Sequence, residues 1–311
     1  MRGPGATDAR NQALLQKQDL VIAAWLGLLL PLAWLAPARM WSPASGSLTS
    51  VVERLTPRGT AARIDSTRRR CGDRTDLPAP SEIVARTMAR RVERHLHYLR
   101  ELRPGGWHPR ITLTGGGNID RALEQERGCI LWVAPMLFSH LVTKKGLHEA
   151  GYAVTHLSHA NHGVSQSRLG YRLNVVTTRP EERYLAERLV MTDGDELRRT
   201  RQLYDRLGEN ALVSIMAATE FGARMVTCPF LCGEVRLPTG APSLSLATDA
   251  TLLPVLALRH DDDRFEVIVE PPLTATPGDD RHAVVDDLVQ QYVRRVEIHV
   301  IRHPEQYTEW W

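Results

Sequence analysis

The clearest pattern in the chain is a run without charge. From Leu20 to Ala38 no residue carries a charge and most are apolar, with Asp19 and Arg39 at the borders. A stretch of that length predicts a helix able to cross or deeply enter a bilayer. Pro31 interrupts its middle, so a kinked or re-entrant helix and a straight span are equal expectations. Trp25, Trp34 and Trp41 suit a membrane–water interface, and the arginines from Arg39 to Arg70 predict that the rest of the chain lies on the cytoplasmic face of the inner membrane. The long charged segment before the run, with Asp8 and Asp19, does not fit a secretory signal.

Residues 42–60 and 71–81 are rich in Ser, Thr, Pro and Gly and read as loops. Residues 81–102 read as a helix, with Ile83, Met88, Val92 and Leu96 apolar and Arg86, Arg90, Arg91 and Arg94 between them. Such a face suits an anionic lipid surface or an ordinary core equally well. From residue 110 helices and strands take turns. The patterning predicts helices over 118–127, 143–150, 195–207, 243–249 and 281–302, and strands over 129–134, 153–157, 211–216, 252–258 and 265–269. That alternation predicts an α/β fold, a central largely parallel or mixed sheet flanked by helices. The expected organisation is an N-terminal tail and membrane anchor helix over 1–41, a linker and Arg-rich helix over 42–109, and the α/β domain over 110–311.

Composition changes the picture little. The 39 Lys+Arg against 36 Asp+Glu leave a formal charge of +3, too even a balance to point to nucleic acid. Cys129 falls in an apolar run and reads as core. Cys228 and Cys232 have no second pair to complete a zinc site and read as free thiols, so no metal or other cofactor is expected.

Several blocks together resemble a known family, the lipid A late acyltransferases (lauroyl/myristoyl transferases) of the lysophospholipid acyltransferase superfamily. They are Ile130-Leu131-Trp132-Val133-Ala134, then Gly151-Tyr152-Ala153-Val154-Thr155, then Pro229-Phe230-Leu231-Cys232-Gly233, Leu237-Pro238-Thr239-Gly240-Ala241-Pro242, Leu253-Pro254-Val255, and the ending His303-Pro304-Glu305-Gln306-Tyr307 with Trp310. The resemblance implies transfer of a fatty acyl group from acyl carrier protein or acyl-coenzyme A to a hydroxyl of a membrane lipid or a glycan. It also implies that Phe230 and Gly240 lie near the substrate. In that family a His base is followed five positions later by Glu or Asp, which orients it and stabilises its cation. Here Pro135 stands at the His position and His140 at the carboxylate position. Proline has no proton-accepting side chain, so the usual dyad is absent. The family's acidic residue after the third strand has no clear counterpart either: Ala217-Ala218 stand there, with Glu220 nearby.

Two functional classes remain open. One is an acyltransferase with a relocated base, His140 first and His159 second, with Glu220 or Asp193 as partner carboxylate. The other is a catalytically silent member that binds lipid or an acyl chain, or that serves as a partner protein. Arg168 and Arg172 are candidate phosphate ligands. Three further readings are weak. A zinc site from His156, His159 and His162 has no carboxylate in its segment. His282 with Asp287 repeats the motif spacing at the start of the last helix, and Ser139 lacks the flanking glycines of a nucleophile elbow.

Overall fold

A computed structural model describes residues 16–159, 167–192, 194–217, 224–261, 263–276, 278 and 280–311. It opens with four helices, α1 (Lys17–Leu35), α2 (Trp41–Leu55), α3 (Pro57–Cys71) and α4 (Pro80–Glu101). The segment over 42–60, whose Ser, Thr, Pro and Gly content predicts a loop, is therefore helical. Its buried stripe is Trp41, Ser45 and Thr49, one residue per turn, and small hydroxyl side chains there let α2 sit close against α4. Pro57 stands at the first turn of α3, where no intrahelical N–H is needed.

The rest alternates between strands and helices, with elements over 110–114, 168–182, 187–191, 225–230 and 233–238 added to those the patterning predicts. The elements are β1 (Arg110–Thr114), α5 (Gly117–Leu123), β2 (Cys129–Val133), α6 (Ser139–Glu149), β3 (Val154–His159), α7 (Arg168–Glu182), β4 (Glu187–Met191), α8 (Glu196–Gly208) and β5 (Leu212–Met216). Then come the hairpin β6 (Met225–Phe230) and β7 (Gly233–Pro238), α9 (Gly240–Thr248), β8 (Thr251–Arg259), β9 (Arg264–Val269) and α10 (Arg281–Arg302). Seven strands form one sheet in the order β1-β9-β8-β2-β5-β3-β4. The strands from β8 to β4 run parallel; β9 is antiparallel to β8 and carries β1 parallel beside it. Strand β2 lies at the centre and is buried along its whole length, as an apolar run with helices on both faces must be.

Alternation along the strands sorts the core into two layers. Ile130, Trp132 and Val213 point to the side covered by α8, α9 and α10, where Trp132 stacks on Tyr292 at 3.9 Å. Leu131, Val133 and Leu253 point to the side covered by α4 and α6.

Helix α1 is docked rather than detached. Asp19, Leu29 and Ala33 are buried, while Leu20, Val21, Leu28 and Leu35 are exposed, Leu35 by 84%. Pro31 does not break the helix. Its C-terminal carbonyls, which have no helical partners, are taken by α4 and the turn after it: Arg100 donates to the carbonyls of Ala33 and Ala36, and Arg103 to that of Trp34 at 2.9 Å. The Trp34 indole returns a bond to the Leu99 carbonyl at 2.9 Å. One apolar face is thus fixed against the protein and the other faces outward.

Candidate active site

Ligands of open parallel sheets bind beyond the carboxyl ends of the strands. Here that edge gathers the ends of β2, β3, β5 and β8. The loop leaving β2 is closed by the C-terminal segment. Pro135 is buried, and its carbonyl accepts from the Thr308 N–H at 3.1 Å and the Thr308 hydroxyl at 2.7 Å. Met136 bridges to Tyr307, and the Leu137 N–H donates to the Gln306 carbonyl at 2.7 Å. The Gln306 amide then exchanges two bonds of 2.8 Å with the backbone of Arg259 at the end of β8. The Pro-Glu-Gln-Tyr block that carried part of the resemblance is therefore a clasp joining the ends of the two central strands.

Helix α6 begins directly after this loop. Ser139 is buried and its hydroxyl accepts the Ala257 N–H at 3.2 Å, which occupies it structurally. His140, in the first turn of α6, is half-buried. His159, the last residue of β3, is also half-buried and pairs in register with Met191. By strand alternation His159 shares the side of Thr155 and Leu157, covered by α8, whereas α6 covers the other side. The two imidazoles approach the mouth from opposite faces of the sheet.

The same alternation separates His156 from His159. His156 is buried, and its Nδ1 lies 2.8 Å from the Ser214 hydroxyl in the neighbouring strand, so the two rings cannot close on one ion. Among the described residues no cluster of His, Cys, Asp and Glu is arranged to hold a metal. Glu220, Asp193 and His162 lie outside the described residues, and of Arg168 only the backbone is described. Arg172 is exposed on α7. Phe230 is buried, packed on Tyr307 with ring centroids 5.4 Å apart. Gly240 starts α9 with open space where a side chain would stand. His282 and Asp287 sit on α10, where Asp287 accepts from Thr276 and Gln291.

Two features have no signal in the patterning of the chain. An open cleft of about 370 Å³ lies at the same edge of the sheet, beside the start of α2. Trp41, Trp107 and Phe265 give it aromatic surface, and Arg100, His108, Arg110 and Asp263 give it walls of both charges. His97 stacks on Trp107 at 4.4 Å beneath it; burial holds that imidazole far below its usual range, to about 3, so it stays neutral. The second feature is a buried charge network joining α4, α6 and α7. Lys144 pairs with Glu181, which also accepts from the Tyr98 hydroxyl at 2.6 Å. Lys145 lies 3.6 Å from Glu101 and donates to the Tyr184 hydroxyl at 2.7 Å, and Tyr184 donates to Glu101.

The bacterial lipid A biosynthesis acyltransferase family model matches residues 86–310, most of the chain. The protein belongs to that family. No curated protein matches it. The match begins within α4 and takes in the whole sheet, the clasp and the segment that holds Pro135 and His140.

Proposed function

We propose that this protein is a membrane-associated acyltransferase that uses His140 in place of the missing dyad. The substrates on this reading are a fatty acyl thioester of acyl carrier protein or coenzyme A and a hydroxyl of a lipid or glycan. The observation that carries it is the place of His140: in a chain whose family match spans the whole sheet, an imidazole stands in the first turn of α6, just past the loop that leaves the central strand. His140 takes the acceptor's proton as its oxygen attacks the thioester carbonyl; the carbon–sulfur bond then breaks and the thiol departs with that proton. Glu220 is the proposed orienting carboxylate and His159 the second candidate base. Arg168 and Arg172 are proposed to meet phosphate groups of donor or acceptor, with Phe230 and Gly240 shaping the walls. The cleft beside α2 offers aromatic surface and guanidinium groups where a lipid headgroup meets its chain.

Purified protein in detergent, offered acyl carrier and coenzyme A thioesters with lipid acceptors, tests this. His140→Ala is expected to lower kcat by about 10²–10⁴-fold. Equal loss in His159→Ala alone would move the base there, and turnover untouched by both changes would sink the assignment.

A second reading rests on Pro135. The residue at the base position is buried and its backbone is held by the clasp, an arrangement suited to a silent member that binds lipid or supports a partner. No turnover with any donor–acceptor pair, together with specific lipid binding, would favour it.

The inner-membrane, cytoplasmic-face placement rests on α1. Its 19 residues are apolar enough to enter a bilayer, and Leu20, Val21, Leu28 and Leu35 present an uncovered face. The protein is expected to stay with the membrane pellet through high-salt and carbonate washes. Complete release by carbonate would contradict an integral anchor.

A further inference from the structure

We propose that Cys71 and Cys232 form a reversible disulfide that staples the N-terminal helices to the β6–β7 hairpin. The two residues are far apart in sequence and meet in space. The Cys232 N–H donates to the Arg70 carbonyl at 3.1 Å. That bond, with standard peptide geometry, keeps the Cα atoms of Cys71 and Cys232 within about 7 Å, which is disulfide reach. A Cβ placed on Gly72 would lie 2.7 Å from both Cβ and Sγ of Cys232, so the Cys232 side chain points at the very end of α3. The turns that present the pair are fixed. Leu231 sits at φ 53° with its N–H bonded to Glu297 at 2.8 Å, and Arg74 lies 3.7 Å from the same carboxylate.

The two thiols differ in a way that suits sequential chemistry. Cys232 is exposed and Cys71 is buried. Burial and the neighbouring Cys232 push the Cys71 thiol up to about 11, and the Arg74 guanidinium acts against that rise. Cys232 therefore reacts first. Its thiolate attacks a small-molecule disulfide such as oxidised glutathione, breaking that S–S bond and releasing one thiolate. Cys71 then loses its proton to solvent and attacks Sγ of Cys232, forming the internal bond and releasing the second thiolate. The protein loses two electrons and two protons, and the added disulfide becomes two thiols. The site is independent of the acyl-transfer reading.

The test uses the full chain in detergent, treated with oxidised glutathione and mapped by mass spectrometry without reduction. The expected product is a peptide pair joining Cys71 to Cys232, present in Cys228→Ser and abolished in Cys232→Ser and in Cys71→Ser. The melting temperature is expected to rise by about 5–10 °C on oxidation and to return on reduction. A glutathione adduct that stays on Cys232, a link from Cys232 to Cys228, or a link between two chains would each overturn the proposal. Because the unmutated protein is compared with itself in two redox states, a poorly folding Cys71→Ser variant does not obscure the result.

Discussion

Lys145→Ala is expected to cost about 3–5 kcal/mol of folding stability. Lysine at this position carries its ammonium into the interior, only 3% of the residue being exposed, because Glu101 lies 3.6 Å away and the Tyr184 hydroxyl accepts its hydrogen bond. Removing the ammonium leaves Glu101, itself buried, with Tyr184, the Trp107 N–H and the half-exposed Arg183 as its donors. A buried carboxylate that loses one of its two cations, and keeps only the half-exposed one, recovers less of its desolvation penalty, which is why breaking such a pair costs more than the pair contributes. Lys145→Met is the informative companion. It fills the space but not the charge, and it is expected to lose nearly as much. Chemical denaturation followed by tryptophan fluorescence measures both. Losses below about 1 kcal/mol would mean that α4, α6 and α7 are held by apolar packing alone.

The double substitution Pro135→His with His140→Glu is expected to raise acyl transfer about 10²–10⁴-fold over His140→Glu alone. The clasp uses only the backbone carbonyl of residue 135, so a side chain exchanged there leaves the bonds to Thr308 available. What is lost is the fixed φ of proline, a modest entropic cost in the unfolded state. The gain depends on whether the mouth still holds a thioester and a hydroxyl in register. Recovery in the double variant would place the defect of this chain in two side chains. An inert double variant, folded and bound to membranes, would mean that substrates no longer meet at this edge, and the silent reading would stand.

Much of the architecture was legible in the sequence because burial imposes a period. Strand β2 is apolar at every position since both its faces are covered, and α10 shows Val285, Leu288, Val289, Tyr292, Val293, Val296 and Val300 on one side because only that side meets the sheet. Helices α2 and α3 gave no such signal. Their buried faces are Trp41, Ser45 and Thr49, and Thr67 and Cys71, so close approach rather than hydrophobic area holds them. Arg168 and Arg172, the expected phosphate ligands, lie on α7, a helix absent from the elements read along the chain. That Pro135 cannot serve as a base was legible as chemistry. Its surroundings were not: only the fold shows that Gln306, Tyr307 and Thr308 return to meet Pro135, Met136 and Leu137. Lys144 and Lys145 carry formal charges that mark them for the surface, and their partners come from helices that no local pattern connects.

The strand order also sets a timetable for synthesis. Strand β1 emerges from the ribosome early, yet its one neighbour in the sheet is β9, more than a hundred residues later, and the apolar strand β2 waits for both β5 and β8. Until then the central strand is an uncovered ribbon of Cys, Ile, Leu, Trp and Val. Nascent chains of this kind fold late and are prone to wrong pairings in the interval. The helices α1 to α4 are made long before, but α1 and α4 also pack on α7, α3 on β7 and α4 on the C-terminal clasp. A chain arrested midway through translation would carry helices short of their late partners and a central strand without its neighbours.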